Sequence, residues 1–210
     1  MLNCRTGPVT LRAAAGMVLL LLAACATTPP APVPETLVPP PDWPARRDAL
    51  MDVNDWTVNG RVAMRDGHDA WSANVHWVQN RDAYDVSLYG PLGQGTVQLQ
   101  GDDSGGELHT ADNKQFRAAD MEDLLYRELG WRIPVDGLRY WARGVPVPDA
   151  PKQYGFDAHG RLAWLEQFGW HVAFLRYTNV NNITLPKRID VTRKTLTVKL
   201  VVDQWKLPHR

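Results

Sequence analysis

The 210-residue sequence predicts a mainly β fold, a curled antiparallel sheet with a few helices, from three observations. Apolar side chains alternate at period two, as in Trp71, Ala73, Val75 and Trp77 and again in Tyr84, Val86 and Leu88, the pattern of half-buried strands. The segments are short and divided by Gly, Asn and Asp turns, so neighbours run antiparallel. Only three short stretches carry helical spacing. A sheet of about ten short strands tends to curl, and the helices then have to cover its concave face.

In chain order, Asp42-Trp43-Pro44 opens a short helix, with Asp as cap and Pro in the first turn. Trp43, Leu50 and Val53 share its inner face, and it runs to about Asn54. A strand follows in which Trp56, Val58, Gly60, Val62 and Met64 alternate with polar neighbours. Gly67-His68-Asp69 turns the chain into the Trp71 strand, and Asn80-Arg81-Asp82 turns it into the strand ending at Tyr89.

Next comes Tyr89-Gly90-Pro91-Leu92-Gly93-Gln94-Gly95. Pro91 suits position i+1 of a type I turn and Gly93 suits i+3, which puts Leu92 at the tip, out in solvent. Single exposed leucines are common, so the loop alone identifies no role. Val97 and Leu99 resume the alternation, Asp102 to Gly106 is a hairpin turn, and Glu107 to Thr110 and Gln115 to Arg117 are weak strands.

The period then changes. Met121, Leu124, Leu125 and Leu129 make an amphipathic helix that Gly130 can end. Pro134 starts another, with Val135, Leu138, Trp141 and Ala142 on one face. Tyr154 to Phe156, Leu162 to Phe168, Trp170 to Tyr177, Ile183 to Val191 and Leu196 to Trp205 read as a second run of strands. Nine tryptophans make the concave face large and aromatic. Composition favours a filled core; the alternative is a cavity kept open for an apolar guest.

Residues 1–24 read as an export signal: Arg5 and Arg12 without acids, an apolar run too short to span a bilayer, then Leu22-Ala23-Ala24-Cys25, a match to the lipobox of bacterial lipoproteins. Cys25 is thus the expected site of lipid attachment, and Ala26 is compatible with sorting to the outer membrane. Cys4 leaves with the signal, so no internal disulfide can form. Residues 25–41 are rich in proline and form a tether of extended chain that reaches roughly 50 Å. Residues 42–210 are the folded domain. The 23 basic and 23 acidic side chains balance, which argues against nucleic acid as a partner. No nucleotide, metal or cofactor motif is visible. His68, His76, His109, His159 and His171 fall in no catalytic pattern, so the reading is a protein that is not an enzyme.

In sequence and spacing, the chain resembles the LolB family, the outer-membrane lipoprotein receptors of Gram-negative bacteria, along its mature length. The matching pieces are the lipobox, Trp56 to Arg61, Trp71 and Trp77 with Gln79, Tyr89-Gly90-Pro91-Leu92-Gly93, Ala119 to Leu125, Pro134 with Leu138 and Trp141, Gly144 with Pro146, Gly160-Arg161-Leu162, and Leu185-Pro186 before the strand ending at Trp205. The resemblance implies an incomplete β-barrel with a helical lid over an apolar cavity. That cavity would accept the acyl chains of lipidated proteins brought by the periplasmic carrier LolA. It also implies that Pro91, Leu92 and Gly93 form a loop that places cargo in the outer-membrane bilayer. Strand and helix phase nominate Trp71, Val75, Trp77, Val86, Leu88, Val97, Leu99, Leu125 and Trp141 as cavity lining. The expected protein is a monomer without cofactor or metal, anchored to the outer membrane and facing the periplasm. The alternative is a structural envelope lipoprotein with the same anchor and no acyl transfer.

Overall fold

The computed structural model describes residues 36–208 except 68, 91–95 and 151. Eleven strands form one antiparallel sheet: β1 (Asp55–Asp66), β2 (Asp69–Asn80), β3 (Ala83–Tyr89), β4 (Thr96–Asp102), β5 (Gly105–His109), β6 (Gln115–Ala118), β7 (Lys152–Phe156), β8 (Leu162–Gln167), β9 (Trp170–Val180), β10 (Ile183–Arg193) and β11 (Leu196–Lys206). Three helices accompany them, α1 (Trp43–Met51), α2 (Met121–Leu129) and α3 (Val135–Ala142).

The strand order is β6-β5-β4-β3-β2-β1-β11-β10-β9-β8-β7. Each half is a meander, and the pairing of the first strand with the last joins them at the centre. The free edges, β6 and β7, are therefore consecutive strands of the chain. The segment between them is the one that holds α2 and α3, so the helices occupy the connection across which a closed barrel would have paired. α2 rests on β5 and β6, and α3 on β10.

Local chemistry explains the joints. At the β1–β11 bulge beside Gly60, a Cβ would run into the Val201 carbonyl, so the inward row that sequence alternation assigns to β1 needs glycine there. Asp120 accepts from the Asp123 N–H at 3.0 Å to start α2, and Gly130 ends it at φ 74°. Asp42, expected to cap α1, makes no side-chain cap bond; its carboxylate pairs with Arg46 instead. α1 stops at Met51, short of the expected Asn54.

The proline-rich tract is not wholly outside the fold. Thr36 exchanges backbone hydrogen bonds with Phe156, at 3.0 and 2.8 Å, and so gives the exposed edge of β7 a short partner.

Two polar side chains hold the interior together. Arg143, 4% exposed, donates to the Leu50, Met51 and Val53 carbonyls, tying the end of α1 to the end of α3; burial pulls its pKa down to about 10. Gln167 accepts from the Trp141 indole at 3.1 Å and exchanges two hydrogen bonds with the Val147 backbone.

The apolar core is centred on aromatic contacts. Trp56 meets Trp77 and Trp205 edge-on at 4.7 and 5.2 Å. Trp43 of α1 meets Phe156 at 5.0 Å, in a cluster with Trp141, Leu162, Leu165, Trp170 and Val172. Such contacts contribute about 0.5–1.5 kcal/mol each beyond area burial.

Candidate functional site

Strand register turns the alternation in the sequence into rows across the concave face. One row runs Val58, Trp77, Val86, Leu99, Leu108 from β1 to β5. The next runs Gly60, Val75, Leu88, Val97, and Met64 pairs with Trp71 beyond it. In β3 and β4 these inward side chains are only half-buried. They face a cavity of about 160 Å³.

All nine lining residues expected from sequence phase stand on the wall of this one cavity: Trp71, Val75 and Trp77 from β2, Val86 and Leu88 from β3, Val97 and Leu99 from β4, Leu125 from α2 and Trp141 from α3. Cys25, Pro91, Leu92 and Gly93 lie outside the described residues. What the structure does place are the roots of that loop. Leu88 and Val97, the last inward residues before it and the first after it, line the cavity and pair with each other.

Sequence reasoning missed the opposite wall. Trp170, Ile189, Val191, Val198 and Leu200 close the cavity from the second half of the sheet, and no local pattern shows that β11 pairs with β1. Trp131 also lines it, 5.4 Å from Trp71, from the link between α2 and α3 where there is no periodicity to read. Tyr84 and Leu108 had a usable signal, since both share the phase of rows already assigned.

Polar lining is sparse: Gln79, Asp82, Tyr84, Asp136 and Arg139. Gln79 accepts from the Trp77 indole at 3.0 Å. Arg139 of α3 reaches Asp82 in the β2–β3 turn at 2.9 Å and Asp103 in the β4–β5 turn at 3.2 Å. Both acids are exposed, so each pair contributes less than about 1 kcal/mol, a weak hold of α3 on the sheet. Burial, reinforced by Asp136, Asp102 and Asp103, pushes the Tyr84 phenol up to about 12.

No histidine, serine or cysteine lines the cavity among the described residues. His76 bonds Asn59 at 2.7 Å and His109 approaches Glu107 at 3.3 Å, neither of them on the cavity wall. Among the described residues no group of His, Cys, Asp and Glu could hold a metal ion. The chemistry on offer is sequestration of an apolar guest.

A dry apolar cavity of about 150 Å³ accepts benzene. The volume here is of that order, so an acyl chain requires the walls to part. α3 meets the sheet turns through the two Arg139 ion pairs, while Trp141 and Arg143 fix its C-terminal end.

The sequence profile of the LolB family, described as outer membrane lipoprotein LolB, matches residues 54–205. The outer-membrane lipoprotein LolB of Pseudomonas putida is 40% identical over 166 residues, 79% of this chain and 81% of that protein. Its namesake from Pseudomonas aeruginosa is 37% identical over 163 residues, 78% and 80% of the two chains. Among solved structures, a LolA superfamily protein from Nitrosomonas europaea superposes with a TM-score of 0.53 at 9% identity, over 80% of this chain and 94% of that one. A DUF1329 family protein from Desulfovibrio piger gives 0.54 at 7%, over 78% and 89%. These two likenesses concern the fold alone.

Proposed function

The chain belongs to the LolB family of outer membrane lipoproteins, and from that premise we propose that its cavity receives the acyl chains of lipidated proteins from a LolA-like periplasmic carrier and releases them into the inner leaflet of the outer membrane. The observation that carries this reading is the cavity itself, an apolar space walled by both halves of the sheet and by α2 and α3. A scaffold lipoprotein has no need of one.

Transfer without a cofactor runs on differences in affinity. An acyl chain gains about 0.8 kcal/mol per buried methylene, so it does not cross water unescorted, and a route needs apolar sites that touch in sequence. Carrier, cavity and bilayer form such a route. Lipidation at Cys25 keeps the receptor at the membrane, facing the periplasm, where it works as a monomer and catalyses no reaction.

Leu92 contributes only about 1.5–3 kcal/mol on entering lipid, too little to anchor the protein. Its role is local. Because Leu88 and Val97 are both loop root and cavity wall, a tip seated in lipid brings that end of the cavity against the bilayer.

The test separates two stages. Donor-to-receptor transfer in solution and receptor-to-liposome transfer are measured for wild type, Leu92→Glu and the same-loop control Gln94→Glu. Leu92→Glu should accept cargo normally and stall at delivery, while the control delivers. Equal delivery by all three removes the loop from the mechanism.

A further inference from the structure

Four buried side-chain polar atoms have no hydrogen-bond partner among the described residues: Trp56 Nε1, Tyr84 Oη, Arg139 Nε and Trp170 Nε1. Three of the four residues, Tyr84, Arg139 and Trp170, line the same apolar cavity. A buried polar group without a partner is costly, so their gathering around a single space calls for an explanation.

All three atoms are hydrogen donors. Tyr84 stays protonated, its phenol pushed up to about 12, and its hydroxyl lies against Gly101, where a Cβ would come within 2.7 Å of it. The absence of a side chain on β4 makes room for that hydroxyl. Arg139 spends its two terminal nitrogens on Asp82 and Asp103 and leaves Nε unused. Trp170 and Asp136 line both this cavity and an adjoining cleft, whose wall also includes Asp103, a partner of Arg139. In the closed state the three atoms are covered. For a guest to reach them, the cavity has to widen on the side of α3, which carries Arg139.

A ligand that satisfies three donors has to bring acceptors. Hydrocarbon has none, and a carboxylate or phosphate meets Asp82, Asp103 and Asp136 near the same donors. Neutral carbonyl oxygens meet both conditions. We infer that Tyr84, Arg139 and Trp170 form a polar pole of the acyl site, which takes the ester or amide carbonyls joining acyl chains to their carrier group and selects neutral acyl esters over free fatty acids. The inference rests on the cavity being the acyl site.

The experiment uses the full-length chain with Cys25→Ala throughout. An apolar fluorescent dye is bound in the cavity and displaced by methyl palmitate, by heptadecane or by palmitate anion. In otherwise unchanged protein the ester should displace the dye at roughly one-tenth the concentration needed for the alkane, the factor expected of one net hydrogen bond, and the anion should be weaker than the ester. Tyr84→Phe should shrink the ester's advantage while leaving alkane displacement and the melting temperature unchanged or raised. Tyr177→Phe is the control, because the Tyr177 hydroxyl already donates to the Leu162 carbonyl at 2.7 Å and its residue is not on the cavity wall. It should lower the melting temperature and keep the ester's advantage. Equal displacement by ester and alkane, an advantage that survives Tyr84→Phe, or a large melting loss in Tyr84→Phe overturns the inference and leaves the cavity reading standing. Failure of the dye to bind at all overturns both.

Discussion

The two halves of the sheet are built alike and filled differently. Both are antiparallel meanders whose inward residues alternate at period two. In the half from β7 to β10, Phe156, Leu165 and Val172 are 0% exposed, packed under Trp43 of α1 and Trp141 of α3. In the half from β2 to β4, Val86, Leu88, Val97 and Leu99 stay half-buried around open volume. The difference lies in what the helices bring. α1 and α3 set tryptophans into the β7–β10 half, whereas α2 offers the β2–β4 half Leu125 and Leu129. Periodicity reports which face a residue occupies, and the covering element decides whether the space beyond is filled.

Truncation should expose the contrast most strongly. Leu165→Ala empties a packed site and should cost about 2–5 kcal/mol, read from urea unfolding. Leu99→Ala enlarges a space that is already there and should cost about 1 kcal/mol. Equal losses would mean that the β2–β4 half is packed as tightly as the β7–β10 half.

Enlargement should sharpen the same contrast by function. Val97→Trp fills guest space and should abolish binding of an acyl probe for about 1–3 kcal/mol of stability. Val172→Trp has no space to enter and should unfold the domain before it touches binding. Unchanged probe binding in Val97→Trp would show that the guest sits elsewhere.

The hairpin turns differ too. In the β7–β8 turn, Asp157 accepts from the His159 and Arg161 N–H groups at 2.9 and 3.0 Å and from the Arg161 guanidinium. Burial alone would raise its pKa, but these donors outweigh burial and hold the carboxyl below its ordinary value. A depressed folded pKa contributes stability that is complete above the unfolded value of about 3.9 and is lost as pH falls through the folded value. Asp157→Asn should therefore cost about 1 kcal/mol near neutrality and flatten the acid limb of the stability profile. Asp102, at the exposed end of β4, accepts from the Ser104 N–H and hydroxyl, which also hold its carboxyl below its ordinary value; because it is exposed, Asp102→Asn should flatten that limb less than Asp157→Asn.

Most of the fold was legible because these strands are amphipathic. The alternation marked β1 to β4 and β8 to β11, helical spacing marked α2 and α3, and glycine marked the end of α2. β7 starts two residues before the expected Tyr154, since Lys152 and Gln153 are exposed on an edge and leave no apolar trace. The site was half legible. Its near wall follows from phase, but its far wall depends on β1 pairing with β11 across most of the chain, and neither that pairing nor the three carbonyls that receive Arg143 has a local signature. The bridge from Thr36 to Phe156 was hidden for a related reason, because an isolated backbone pair needs no particular side chain.

The central claim is that the hollow half holds the acyl chain, and the distribution of tryptophans allows it to be tested directly. Cargo carrying brominated acyl chains, which quench tryptophan on contact, is handed to the protein from a LolA-like carrier while intrinsic fluorescence is followed. Trp71 and Trp131 stand on the cavity wall, whereas Trp43 lies in the packed cluster and Trp164 stacks on His171 at 6.1 Å, off the wall. Quenching should fall in Trp71→Phe/Trp131→Phe, with the remainder coming from Trp77, Trp141 and Trp170 on the same wall, and stay at the wild-type level in Trp43→Phe/Trp164→Phe. Quenching that follows the second pair, or none in the wild type during confirmed transfer, would contradict the account.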